Sequence, residues 1–93
     1  GLTSFTANGV VYASSTSALT TGSSLAFTGT NLGIGTSSPS SFSGYTTVSV
    51  NNATNGGIYN ILVNGTETAR LQAYTGVFNV AAKGASTVIT FEL

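Results

Sequence analysis

The sequence lacks histidine, cysteine, aspartate, methionine and tryptophan, and only 4% of its 93 residues are charged. Ordinary globular domains are about 25% charged. Without histidine or cysteine, the commonest catalytic base and the thiolate nucleophile are missing, and so are most sets of metal ligands. The formal net charge is zero, which leaves no basic cluster to neutralise nucleic-acid phosphates. We therefore expect no catalytic residue, no cofactor, no metal site and no nucleic-acid partner.

The same absences limit how the chain can be stabilised. A chain of this length buries only about 60 to 65% of its unfolded surface, and no disulfide can compensate. Oligomerisation is the remaining means of stabilisation. The longest apolar run, Ile61-Leu62-Val63, is far shorter than the roughly 20 residues that span a bilayer, so we expect no membrane insertion. The start at Gly1-Leu2, without a signal peptide or any methionine, favours a processed product or a fragment of a longer protein.

The composition of the chain changes near Gly44. Serine, threonine, glycine and asparagine make up 49 of the 93 residues. Residues 1–44 carry no charge, and apolar residues recur there at the period of a strand, as in the segments 25–27 and 32–34. We predict an extended Ser/Thr/Gly-rich segment with two or three brief strands over 1–44, and an antiparallel β domain over 45–93.

The second half contains runs of β-branched and aromatic residues separated by turn residues. No stretch of ten or more residues has the helical period of 3.6, so we predict essentially no helix. The predicted strands are 45–50, 58–63, 66–74, 77–82 and 87–93. The predicted fold class is all-β, with an extended N-terminal segment of short strands followed by a small antiparallel domain. That domain is either β-sandwich-like or part of a trimeric β-fibre.

Asn64-Gly65 lies between two of these strands and predicts a hairpin with a type I′ turn, because both central positions of that turn need positive φ. A two-residue loop fixes the register from the turn outward. Apolar residues then fall on both faces of the hairpin, which indicates that a second layer or another protomer covers it. The predicted facing pairs are Val63 with Thr66, Ile61 with Thr68 and Tyr59 with Arg70 on one face, and Leu62 with Glu67, Asn60 with Ala69 and Ile58 with Leu71 on the other.

Two short motifs invite a chemical interpretation. Gly33-Ile34-Gly35 resembles part of a phosphate-binding loop, but such a loop needs further glycines, usually a lysine, and a following helix. A glycine-flanked turn or a close backbone approach, ending at Pro39, is the favoured interpretation. A serine activated by Lys83 is conceivable, and a solvated turn lysine is the ordinary alternative.

The few charged residues are not spaced as a catalytic site. Hydrolysis by paired carboxylates needs both Glu67 and Glu92 in one site, about 5 to 9.5 Å apart, and nothing in the spacing indicates this. Strand parity places Glu67 and Arg70 on opposite faces, so they should not pair within one chain. We predict instead a structural cation–π contact between Arg70 and Tyr59 across the hairpin.

Glycosylation sequons and aromatic residues complete the candidates. Asn52-Ala53-Thr54 and Asn64-Gly65-Thr66 match the sequon, which matters only in a secreted eukaryotic protein. The four tyrosines and five phenylalanines either fill a core or form a stacking platform for sugar rings, and the core is favoured.

One segment resembles a known family. Residues 25–39, LAFTGTNLGIGTSSP, are similar to the L-x-F-x-G-x-N-L-G-I-G-T-x-x-P unit of bacteriophage tail fibres and related receptor-binding fibres. Residues 5–13 resemble the F-x-x-N-G-V-x-Y-A segment that precedes this unit, and residues 64–71 resemble an N-G-x-E-x-x-R-I strand more loosely. The resemblance implies a homotrimeric, β-rich segment of a virion tail fibre, outside the cell, without family catalytic residues. Its implied partners are other copies of the chain, adjoining fibre or virion proteins, and a host cell-surface glycan.

Two other functions fit the same composition. One is a subunit of an extracellular filament that polymerises by β-strand addition. The other is a small carbohydrate-binding β-sandwich, which would be a monomer with exposed aromatic residues. A trimer with closed threefold symmetry, a filament with open helical symmetry and a monomer differ in native mass.

Overall fold

The computed structural model describes residues 4–84 and 88–92, and these residues form eight strands and no helix. The fold is therefore all-β, as predicted. The described residues include no helix of the length and apolarity needed to cross a membrane. The strands are β1 (Tyr12–Ala13), β2 (Leu19–Thr20), β3 (Leu25–Phe27), β4 (Leu32–Ile34), β5 (Val48–Val50), β6 (Ile58–Val63), β7 (Thr66–Tyr74) and β8 (Val77–Ala82).

The chain divides into two compact units, Gly1–Asn52 and Ala53–Leu93. This division lies after the one predicted near Gly44. The difference arises from β5, which pairs in parallel with β4 and so belongs to the first unit.

The first unit contains two small sheets. β1 and β2 form an antiparallel pair, and a second sheet has the order β3-β4-β5. β3 and β4 coincide with the two segments whose alternation predicts strands, and Thr28-Gly29 lies in the turn between them. The strand predicted over 45–50 is shorter in the structure and covers only Val48–Val50.

Little of the first unit is buried. Among the described residues Ala26, at 1% exposed, is the only buried apolar residue with a side chain, and Asn31, at 5%, is the only buried polar one. Ala26 pairs with the buried Gly33 and also forms a bridge with Gly9. Strand alternation turns the larger Phe27 outward. The centre of this sheet is therefore made of the smallest side chains.

The second unit is built on the antiparallel sheet β6-β7-β8, whose strand bounds are those predicted. The Asn64-Gly65 turn is confirmed, with φ of 48° and 79°. Within its described residues this unit has a single sheet, so no second sheet of its own covers the faces of the hairpin.

The predicted register is correct only next to the turn. Val63 faces Thr66 and Leu62 faces Glu67, but a β-bulge between Ile61 and Leu62 then shifts the pairing by one residue. The predicted pairs of Ile61 with Thr68, Asn60 with Ala69, Tyr59 with Arg70 and Ile58 with Leu71 are wrong. The observed pairs are Ile61 with Ala69, Asn60 with Arg70, Tyr59 with Leu71 and Ile58 with Gln72.

Hydrophobic matching explains the bulge. In the predicted register Tyr59 and Ile61 would share a face with Arg70 and Thr68. With Thr68 as the extra residue, they share it with Leu71 and Ala69 instead. Burial and packing of apolar side chains set the register of a sheet, and one inserted residue exchanges its two faces.

The last predicted strand, 87–93, is not formed in its described part. Residues 88–92 are described and are not in a strand, while Thr87 and Leu93 lie outside the described residues. Val88 and Ile89 instead border a cavity against the β6-β7-β8 sheet. The alternating pattern gives this segment strand propensity, but a strand also needs a pairing edge.

Candidate functional site

One face of the β6-β7-β8 sheet carries five large apolar side chains and no charged one. Residues paired across antiparallel strands project to the same side, and the register places Tyr59, Leu71 and Val80 in one row. Ile61 and Phe78 lie on the same side in the neighbouring rows. We call the side chains Tyr59, Ile61, Leu71, Phe78 and Val80 the apolar face. Each of them is 42 to 71% exposed.

The segment after β8 covers only part of the apolar face. Val88 and Ile89 border a cavity of about 270 Å³ together with Ile61, Leu71 and Val80, and part of Arg70 also lines it. Val88 and Ile89 themselves stay 72% and 50% exposed. The chain therefore leaves an apolar surface with a shallow apolar cavity at its margin.

The opposite face of the sheet carries a polar cluster. The Asn60 side-chain amide donates to Glu67 Oε2, and Arg70 Nη1 lies 3.9 Å from the same oxygen. The predicted separation of Glu67 from Arg70 is wrong, because the bulge at Thr68 brings both residues to one side. The predicted contact between Arg70 and Tyr59 is also wrong, since their side chains project to opposite faces.

This polar cluster has a structural role with a small energy. The side chains of Arg70 and Glu67 are 25% and 35% exposed. Ion pairs that solvent reaches contribute about 0 to 1 kcal/mol. The described residues contain no group of three or more His, Cys, Asp or Glu side chains that could hold a metal ion.

The Gly33-Ile34-Gly35 motif forms a junction between strands. The Gly35 amide donates to the Ser24 carbonyl at 2.7 Å, and the Gly35 carbonyl accepts from Asn51 Nδ2 at 3.0 Å. Gly35 has φ of 78°, and a Cβ there would lie 1.9 Å from the Asn51 carbonyl oxygen. Gly33 and Ile34 lie in β4, and the backbone groups of Gly35 are occupied by the fold, which agrees with the close backbone approach that the sequence favours.

Asn31 is a key residue that the sequence analysis did not identify. The Oδ1 atom of its buried side chain accepts a hydrogen bond from the Thr47 backbone amide at 2.8 Å. The backbone amide of Asn31 donates to Thr28 Oγ1 at 3.0 Å. Asn31 therefore links two parts of the first unit: the segment just before β5, and the turn between β3 and β4. The available signal was an asparagine directly before the apolar alternation of 32–34.

All nine aromatic side chains are exposed, each by at least 46%. They are Phe5, Tyr12, Phe27, Phe42, Tyr45, Tyr59, Tyr74, Phe78 and Phe91. The favoured prediction that they fill a core is wrong for a single protomer. Exposed aromatic residues of this number are suited to burial against another chain or to stacking against a ligand.

A second cavity lies in the first unit. It has a volume of about 230 Å³ and is lined by Tyr12 and residues 22–25, which include Ser23 and Ser24. An aromatic ring beside hydroxyl groups is a surface on which a sugar ring could stack and form hydrogen bonds. The cavity is shallow and open, and no charged residue lines it.

The remaining candidates lie on the surface. Lys83 is exposed, and its backbone amide donates to the Thr68 carbonyl at 2.8 Å. Glu92 is exposed as well. Both sequons present exposed asparagines, Asn52 and Asn64.

We compared the chain with models of protein families, with curated proteins and with solved structures, and none of these comparisons gave a match. The tail-fibre resemblance of residues 5–13 and 25–39 therefore remains a prediction.

Proposed function

We propose that this chain is a structural segment of a homotrimeric bacteriophage tail fibre or related virion fibre, located outside the cell. It contributes to host attachment by display and assembly, and it turns over no substrate. Its partners are two further copies of the chain, adjoining fibre or virion proteins, and a host cell-surface glycan. The resemblance of residues 25–39 to the fibre unit supports the class of protein.

The observation that carries the proposal is that residues 4–84 and 88–92 bury almost no side chain within the protomer. The chain exposes 7110 Å² of surface. Two separate compact bodies with the masses of its two units would together expose only about 6000 Å². Because burial of apolar area is the main favourable contribution to folding, a chain that hides so little of it needs other chains to cover the remainder.

The local structure of the fibre-like unit also fits a repetitive shaft. Residues 25–39 form β3, the turn at Thr28-Gly29, β4 and the junction at Gly35. Their hydrogen bonds reach fewer than 20 residues along the chain: the Phe27 amide donates to the Asn8 carbonyl, and Asn31 and Gly35 bond to Thr47 and Asn51 on either side of β5. A unit closed by local bonds can be repeated along a fibre, with neighbouring copies supplying the apolar burial.

A second candidate is a filament subunit that grows by strand addition. β6 and β8 are the two edges of their sheet, and neither contains a charged residue. Natural edge strands are often protected by charges or proline against pairing with another chain. Unprotected edges favour this alternative.

Native mass distinguishes the candidates. We expect a single species of three times 9.3 kDa at micromolar concentration, measured by sedimentation and native mass spectrometry. An open filament would give a series of masses that grows with concentration. A folded monomer would contradict both assembly proposals and favour the carbohydrate-binding module.

The absence of turnover is tested separately on the purified oligomer. We expect binding without release of reducing sugar when it is incubated with bacterial surface glycans. Release that disappears in Glu67→Gln or Glu92→Gln would overturn the non-enzymatic proposal.

A further inference from the structure

We propose that the apolar face of the β6-β7-β8 sheet is the surface on which a second copy of this chain docks. In this arrangement the opposite face, with Asn60, Glu67 and Arg70, points to solvent. The inference deepens the proposed function and rests on its premise that the chain assembles with itself.

The two faces of the sheet differ in what burial would require. The apolar face offers two aromatic and three aliphatic side chains and no charge. The opposite face also carries apolar side chains, namely Ile58, Leu62, Tyr74 and Val77, which are 40 to 54% exposed. Arg70, Asn60 and Gln72 lie among them at the centre of that face, and Glu67 lies beside them near the turn. Burying that face would remove an ion pair and two amides from water, for which the sheet supplies few further partners. Among the five side chains of the apolar face only Tyr59 has a polar group, its hydroxyl, so burying this face has a smaller penalty.

The area of the apolar face matches the scale of a protein interface. Its five side chains, 42 to 71% exposed, present about 500 Å² of surface if each offers roughly 150 to 250 Å² when free. Val88 and Ile89 at its margin raise this to about 700 Å². Stable interfaces bury about 800 Å² on each partner.

The composition of the face favours a copy of the same chain as its occupant. A surface without charges has nothing that would select a partner of opposite charge, and the chain as a whole is neutral, so copies do not repel each other. Copies arranged around a common axis present equal apolar faces to one another, and each copy covers its neighbours to the same extent. Closed symmetry would then cover every copy of the face.

Two valines of β8 provide a matched test on the full chain. Val80 lies on the apolar face and is 48% exposed, while Val77 lies on the opposite face and is 41% exposed. We expect Val80→Asp to raise the concentration for half-dissociation by at least about 100-fold, because it leaves an unpaired carboxylate in the interface. Val77→Asp should change it by less than about threefold. Sedimentation over a concentration series measures both.

A second measurement covers the case in which Val80→Asp fails to fold. The chain has no cysteine, so Val80→Cys and Val77→Cys each introduce a single thiol with a small change in volume. We expect a maleimide to modify Val77→Cys quickly and Val80→Cys at least 10-fold more slowly in the native oligomer, and both at similar rates in urea.

The outcomes separate the inference from the proposed function. A wild-type monomer would overturn both. An oligomer that withstands Val80→Asp, or in which Val80→Cys reacts as fast as Val77→Cys, would overturn only the docking face. Dissociation by Val77→Asp alone would assign the interface to the opposite side of the sheet.

Discussion

Replacing Asn31 by alanine tests whether a buried amide holds the first unit together. The change removes the acceptor that the Thr47 amide uses at 2.8 Å, in a side chain that is 5% exposed. Leaving a buried donor unpaired costs about 1 to 3 kcal/mol, and the cavity left by the amide adds to this. We expect Asn31→Ala to lower the free energy of unfolding by about 2 kcal/mol. For a domain of this length that corresponds to a fall in Tm of about 10 °C.

Asn51→Ala is the matched control. Asn51 also uses its side chain to join segments 16 residues apart, through Nδ2 and the Gly35 carbonyl at 3.0 Å, but it is exposed. Water can replace this bond, so we expect a loss of only about 0.5 to 1 kcal/mol. Urea unfolding followed by circular dichroism measures both variants at one fixed protein concentration, because assembly would otherwise shift the midpoint.

Hydrogen exchange locates the effect of Asn31→Ala. The Thr47 amide should exchange faster in this variant than in Asn51→Ala, while the amides of β7 should be unchanged. The reasoning is refuted if Asn31→Ala is no more destabilising than Asn51→Ala, or if Thr47 stays protected.

Two further predictions concern glycines at positive φ, both measured by urea unfolding. Gly35→Ala should cost more than about 3 kcal/mol, because its Cβ would lie 1.9 Å from the Asn51 carbonyl oxygen. Gly29→Ala, at φ of 96° with open space around it, should cost only about 1 to 2 kcal/mol. Equal losses of unfolding free energy in the two variants would contradict the close approach of Gly35 to the Asn51 carbonyl. Gly65→Val should cost about 2 kcal/mol and Gly65→Asn less than about 1 kcal/mol, since asparagine tolerates positive φ; a tolerated valine would contradict the type I′ turn.

The sequence predicts the second unit well wherever the signal is local. The bounds of β6, β7 and β8 follow from runs of β-branched and aromatic residues between turn residues, and Asn64-Gly65 identifies the turn between β6 and β7. Turn chemistry fixes the pairing only next to the turn. Farther along β7 the match of apolar faces decides the register, and it favours a bulge at Thr68 over regular pairing.

Features that depend on distant partners were not predictable in the same way. The strand potential of residues 88–92 is not realised, because a pairing edge is a property of the assembled sheet and not of the segment. The role of Asn31 depends on Thr47 being brought back beside β4. The period of the apolar pattern and the strand propensity of a segment do not show which distant segment comes back to lie beside it. The Glu67–Arg70 pair follows the bulge, so an error in register becomes an error in the candidate site.

The distribution of polar and apolar groups reverses the usual arrangement of a small domain. In the part of the chain that the structure describes, the buried side chains are Ala26 and Asn31, whereas most large apolar side chains face outward. Hydrogen bonds of Asn31, Asn51 and the glycine turns thus define the path of the chain. Each contributes only about 0.5 to 1.5 kcal/mol net, because folding exchanges bonds to water for bonds within the chain, although removing one partner of a buried bond costs more. In the proposed assembly, contacts between chains cover this exposed apolar area. Folding and assembly should therefore be one coupled process, in which the shape is encoded within the protomer and the stability arises between protomers.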